Sequence, residues 1–148
     1  MERPDSKIIA FFKKHHVLTL STSLDDQPWC ANCFYAFDEV GMALIFTSGY
    51  ETRHIKEAVR NQKVAGSVVL ETSAVGKIQG IQFVGELVKP EEGAESVNHI
   101  YLKRFPFAAL MDTTLWLLKI DYAKMTDNRL GFGKKLIWER DLNEVIKA

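Results

Sequence analysis

Residues 46–56 read Phe46-Thr47-Ser48-Gly49-Tyr50-Glu51-Thr52-Arg53-His54-Ile55-Lys56. An apolar strand ends in two hydroxyls, a short loop follows, and Thr52 offers the chemistry of a helix N-cap. The predicted helix runs from Arg53 to Gln62, with Ile55, Ala58 and Val59 on its buried side. Working upstream, Met42 to Thr47 is the return strand of a hairpin whose turn is Asp38-Glu39-Val40-Gly41 and whose first strand is Trp29 to Phe37. Val17 to Ser23 is a further β-branched strand, separated by the turn Asp25-Asp26-Gln27-Pro28. A first helix, capped by Asp5 or Ser6, buries Ile8, Ile9, Phe11 and Phe12 and fades near His15-His16.

Downstream, Lys63 to Leu70 and Lys77 to Val88 are strands. Gly80 and Gly85 inside the second signal a bulge, a barrel corner or a close approach. Pro90-Glu91-Glu92 opens another helix, which Phe105-Pro106 ends. Thr113 to Lys124 is a strand with Trp116, Leu118, Ile120 and Tyr122 on one face, and Lys134 to Arg140 is the last. About seven strands and three helices do not alternate regularly, which argues against a doubly wound sheet. They suit a mainly β (α+β) fold, an antiparallel barrel with helices outside.

The chain of 148 residues has 47% hydrophobic and 26% charged residues, the composition of an ordinary globular domain, and residues 1–148 read as one. Lys plus Arg and Asp plus Glu both number 19, so the net charge is zero, which counts against a dedicated nucleic-acid binder. No apolar run has the length of a membrane span. The first residues lack the apolar region of a signal peptide, and the two cysteines read as free thiols, so a cytoplasmic location is expected.

Hydroxyls of Thr47, Ser48 and Thr52 at a helix start, with Arg53 and His54 beside them, have the chemistry of a phosphate site. Arg53, Lys56 and Arg60 share one side of that helix. A capped surface helix with a solvated basic face is the plainer reading of the same residues. Cys30-Ala31-Asn32-Cys33 is not read as a redox pair, because residues three apart on a strand point to opposite faces. Two buried small hydrophobes are expected instead. No metal site is expected: neither a second Cys or His pair at zinc spacing nor an H-E-x-x-H motif is present. Gln82, polar among apolar neighbours, either points into a site or faces water. The segment Thr126 to Trp138, with Gly131, Gly133, Lys134, Lys135 and Trp138, either contacts a ligand or closes a barrel or dimer.

Together these segments resemble the pyridoxamine-phosphate-oxidase-like, FMN-binding split β-barrel family. Thr47-Ser48, Thr52-Arg53-His54 and Asn61-Gln62-Lys63-Val64-Ala65 follow the order of its phosphate-binding passage. The likeness is nearest to the YhbP-like branch, through Trp29-Cys30-Ala31-Asn32, Gly80 to Glu86, Arg104-Phe105-Pro106 and Thr126 to Trp138. It implies a split antiparallel β-barrel of six to seven strands and a homodimer with FMN in clefts between protomers. It further implies phosphate held by Thr47, Ser48, Thr52, Arg53 and His54, Asn32 under the flavin ring, and Lys135 and Trp138 approaching from the partner's last strand. His54 stands where the family usually has Lys, and Ala31 to Ala36 lacks the oxidase's basic residues. Vitamin-B6 oxidation is therefore not expected, and the phosphate grip should be pH-sensitive. The expected function is a flavin-dependent oxidoreductase on a small molecule; the alternative is a non-catalytic flavin or small-ligand binder. A single-stranded nucleic-acid barrel is a third class, disfavoured by charge.

Overall fold

The computed structural model describes residues 2–91, 94–111 and 114–141. The elements run α1 (Ser6–Lys14), β1 (Val17–Leu24), β2 (Gln27–Asp38), β3 (Ala43–Thr47), α2 (Arg53–Arg60), β4 (Lys63–Val69), β5 (Gln79–Val88), α3 (Glu95–Arg104), β6 (Leu115–Asp127) and β7 (Lys135–Glu139). All strand pairs are antiparallel, in the order β3-β2-β1-β4-β5-β6-β7. A further β3–β6 pairing closes six strands into a barrel. The same edge of β6 serves two partners: residues 115–119 pair with β3 and residues 122–126 with β7. That forking is the split of a split β-barrel.

The barrel interior holds the main core, including Phe12, Leu18, Leu20, Leu44, Phe46, Ile81 and Leu118. Helix α1 plugs it. The Asp5 carboxylate accepts from the Lys7 amide at 2.8 Å, and Ile8, Ile9, Phe11 and Phe12 point inward. The Tyr35 hydroxyl, inside the barrel, donates to the Phe12 carbonyl at 2.7 Å. Helix α3 covers the outside of β2 and β3, packing Tyr101 on Ala36 and Ile45. It starts at Glu95 rather than at Pro90; Glu92 and Thr113 lie outside the described residues.

Three expectations need correction. Tyr122 does not share a face with Trp116, Leu118 and Ile120. Val84 pairs with Tyr122 but Gly85 pairs with Ile120, so Asp121 is an extra residue and the inward set becomes Ala123, Met125 and Asp127. On α2 the third buried residue is Glu57, not Val59, which is 54% exposed. Cys30 is exposed and only Cys33 is buried, although the two do face opposite ways and both are free.

Burial pushes the Cys33 thiol up to about 11, so it is an inert packing group. Cys33→Ala is expected to cost about 1–2 kcal/mol through the lost contacts. Cys30→Ala should stay within about 0.5 kcal/mol of the parent. Urea midpoints of the two variants check both values; equal losses contradict the assignment of faces.

Candidate functional site

Strand β3 stops at Thr47 while β2 runs on to Gln27, leaving β2 with an uncovered edge. The loop after β3 and the start of α2 sit against that edge. The Ser48 amide donates to the Thr114 carbonyl at 3.2 Å, and the Trp116 indole donates to the Ser48 carbonyl at 2.9 Å. The Tyr50 ring stands edge-on to Trp116. The loop is therefore held by backbone and aromatic contacts as well as by its hydroxyls.

Ser48 Oγ lies 2.5 Å from His54 Nε2, and Thr52 Oγ1 lies 3.4 Å from the same nitrogen. Burial holds the His54 pKa below its ordinary value, which favours the uncharged ring; its tautomer sets which partner donates in the Ser48 contact. Thr52 occupies the N-cap position, but its hydroxyl donates backward to the Gly49 carbonyl at 2.8 Å instead of capping the helix. The expected cap is thus absent, and among the described residues no side chain accepts from the first-turn amides of α2. Open amides of this kind are suited to an anion.

Arg53 lies over the Trp29 ring at 4.1 Å, and its Nε donates to Glu57 Oε2 at 2.7 Å. Glu57 Oε1 accepts from the buried Thr22 hydroxyl at 2.8 Å. The Arg53 hydrogen bond, then the Thr22 one, holds the Glu57 carboxyl below the usual carboxylate range. Stack and ion pair fix the guanidinium plane. Its two terminal nitrogens bond to nothing among the described residues, and the side chain is 51% exposed. An oriented guanidinium fork beside open helix amides fits a phosphate.

The barrel's outer face continues from this cluster. Tyr35 pairs with Phe46, so one step on, Thr47 comes level with the outward Phe34, two residues along β2 from Asn32. The Thr47 hydroxyl lies 3.4 Å from that of Tyr101. The register then sets Asn32, Thr19, Ser67, Gln82 and Lys124 side by side across five strands. Four strand spacings make this row about 19 Å long. The Thr19 hydroxyl donates to Asn32 Oδ1 at 2.8 Å. A shallow cavity of 490 Å³ lies along the row, walled by Val84 and Tyr122. Lys135 belongs to the same outer face and reaches Thr126 Oγ1 at 3.0 Å.

The sequence-predicted residues therefore fall into three places. Ser48, Thr52, Arg53 and His54 form one cluster. Asn32, Thr47, Gln82 and Lys135 share the outer face leading away from it. Trp138 stands apart: it is 4% exposed, faces the core, and donates its indole N–H to the Glu2 carbonyl at 2.8 Å. Sequence reading missed Glu57, readable at i+4 from Arg53, and the Trp29 platform, which only tertiary packing reveals. Among the described residues no group of three or more His, Cys, Asp or Glu is placed to hold a metal ion. No helix among them is long and apolar enough to cross a membrane.

The chain is 40% identical over 131 residues to the UPF0306 protein plu4501 of Photorhabdus laumondii, covering 88% of this chain and 92% of that protein. It belongs to the UPF0306 family. No family model matches the chain. Among solved structures, this UPF0306 chain is similar to a heme-binding protein from Mycobacterium smegmatis, with TM-score 0.73 and 16% identity, over 94% of this chain and 60% of that one. It is also similar to a FAD-binding protein, mll6688, from Mesorhizobium loti, with TM-score 0.68 and 13% identity, over 81% and 91% of the two chains. At these identities the likeness establishes the fold shared by the UPF0306 chain and the two structures.

Proposed function

We propose that this UPF0306 protein binds FMN and serves as a flavin-dependent oxidoreductase for a small molecule. The observation that carries the reading is the start of α2 without a side-chain cap, with Arg53 in its first turn and the Ser48–His54–Thr52 cluster at the loop that leads into it. The FAD-binding relative in fold supports a flavin on this architecture. In this reading the phosphate rests on Ser48, Thr52, Arg53 and His54, with Thr47 beside them. The ring system lies along the outer face toward Asn32 and Gln82. Bound FMN would supply the electron-transfer chemistry. The protein's own residues bind and orient it: Arg53 fixes the anion, and Asn32, held by Thr19, presents its amide N–H₂ outward. The outer face is open in one chain, so a second copy in a homodimer completes the cleft, with the partner's Lys135 available to it. No side chain is assigned as acid or base.

The visible spectrum of purified protein with added FMN tests this. Flavin that bleaches with a nicotinamide donor and recovers in air is the expected result. Bound flavin that no donor reduces favours the non-catalytic binder, and a protein that takes up no FMN overturns the reading.

The His54 environment sets a pH dependence. In the free protein burial depresses the imidazole pKa, whereas a phosphate beside it raises the pKa in the complex. Binding then takes up a proton. The added affinity is full below the free-state pKa and is lost as pH rises through the bound-state pKa. The window therefore starts below the ordinary imidazole value and widens upward by as much as the phosphate raises the pKa. Protonation of the FMN phosphate itself, near pH 6, acts oppositely at the acid end. As pH rises through that window, affinity is expected to fall by about tenfold, the worth of one charge-assisted hydrogen bond. FMN titrations across that range check it, and His54→Gln should flatten the profile.

A further inference from the structure

Four residues along β2 from Asn32, past Phe34, Ala36 floors a second cavity of 480 Å³ between the C-terminal end of α1 and α3. Phe37 and Ile100 complete an apolar floor, and the rim carries the cations Lys13, Lys103 and Arg104 together with His99. Lys13 is paired with Glu39, which also takes Arg3. His99 and Lys103 have no partner among the described residues.

Arg104 is the informative group. Its guanidinium donates to the His15 carbonyl and lies 5.5 Å from the Tyr35 ring and 5.8 Å from the Phe105 ring. No carboxylate pairs with it among the described residues. It is partly buried, and burial lowers its pKa. His15, whose carbonyl takes that hydrogen bond, is held below its ordinary value by burial first, then by Lys14, His16 and Arg104. The local potential is therefore positive. A cation taken part-way out of water without a counter-ion gains from an anion brought to it.

We propose that this cavity binds a small organic monocarboxylate with an apolar body, its carboxylate on Arg104 and Lys103 and its body on Ala36, Phe37 and Ile100. The apolar floor disfavours inorganic phosphate, whose every oxygen needs a polar partner. A single charge pays less desolvation than a dianion in a partly buried place. The volume lies within the range of about 300–1,000 Å³ found for small-molecule sites. This assignment does not depend on flavin binding.

The test is calorimetric titration of the full chain with 2-naphthoate, with amide NMR shifts followed at Lys103 and Arg104. One saturable site per chain is expected, with a dissociation constant of about 1 mM or lower, as befits a ligand of that size. Uncharged 2-naphthalenemethanol should bind at least about tenfold more weakly. Arg104→Gln should lose about tenfold or more, and Lys103→Glu, an exposed change that leaves the fold alone, about five- to tenfold. Absence of saturable binding overturns the proposal. So does equal binding of the neutral probe, or binding by Lys103→Glu at the parental affinity.

Discussion

Arg53→Ala is expected to weaken FMN binding by about tenfold to a hundredfold, the loss of a charge-assisted hydrogen bond worth about 1.5–3 kcal/mol. The structure sharpens this expectation. Arg53 is held from two sides, by the Trp29 ring at 4.1 Å and by Glu57 at 2.7 Å, so its fork arrives pre-oriented. Arg53→Lys keeps the charge but loses the fork and the flat stack. It should recover only part of the affinity. Trp29→Ala should weaken binding less than Arg53→Ala, because it frees the guanidinium without removing it. Fluorescence titration of FMN into each variant ranks them. An Arg53→Ala protein that folds normally and binds at the parental affinity removes Arg53 from the site.

The largest stability effect is expected at Gly85. An added Cβ there would stand 2.1 Å from the Lys119 carbonyl oxygen and 3.1 Å from Leu118 Cδ2. The first neighbour is backbone of the adjoining strand and cannot turn aside. Gly85 also sits at the register shift that places Asp121 as an extra residue in β6. Gly85→Ala must therefore spread the β5–β6 pair at the bulge, at a cost of about 3 kcal/mol, the upper part of the overpacking range. Gly76 is the control: nothing lies within 4 Å of its added Cβ, and Gly76→Ala should change stability by less than about 0.5 kcal/mol. Urea unfolding of both variants checks the pair. Equal stabilities contradict the close approach.

What the sequence displays well is what lies contiguous along the chain. The strand, hydroxyl loop and helix of residues 46–56 are where they were expected, because apolar periodicity and loop chemistry act over a few residues, although the Thr52 hydroxyl turns back to Gly49 and does not cap. Of the two glycines read as a bulge, a barrel corner or a close approach, Gly85 sits at the register shift. Tyr122 was put on the wrong face because one inserted residue, Asp121, inverts the alternation, and an insertion is defined only against a partner strand. Glu57 replaced Val59 in the buried set because Thr22 and Arg53 satisfy its carboxylate, and both partners must be in place before a charge is cheaper to bury than a valine. The polar row from Asn32 to Lys124 was invisible as a row: its five members, Thr19 to Lys124 in sequence, are up to 105 positions apart and meet only through four strand registers. Trp138 looked like a ligand-facing aromatic because a short last strand carries no signal of which face is inward. The N-terminal segment, through the Glu2 carbonyl, covers its indole.

The phosphate is the part of the ligand that the α2 cluster is suited to hold, so the most direct test removes it from the ligand and leaves the protein untouched. FMN and riboflavin, which share the ring system and differ by the phosphate, should be titrated in parallel into the apo protein by flavin fluorescence. Expected is FMN binding at least about tenfold tighter than riboflavin, with the gap shrinking as the salt concentration rises and in Arg53→Ala. Equal affinity for the two, or no binding of either, contradicts a phosphate site at the start of α2.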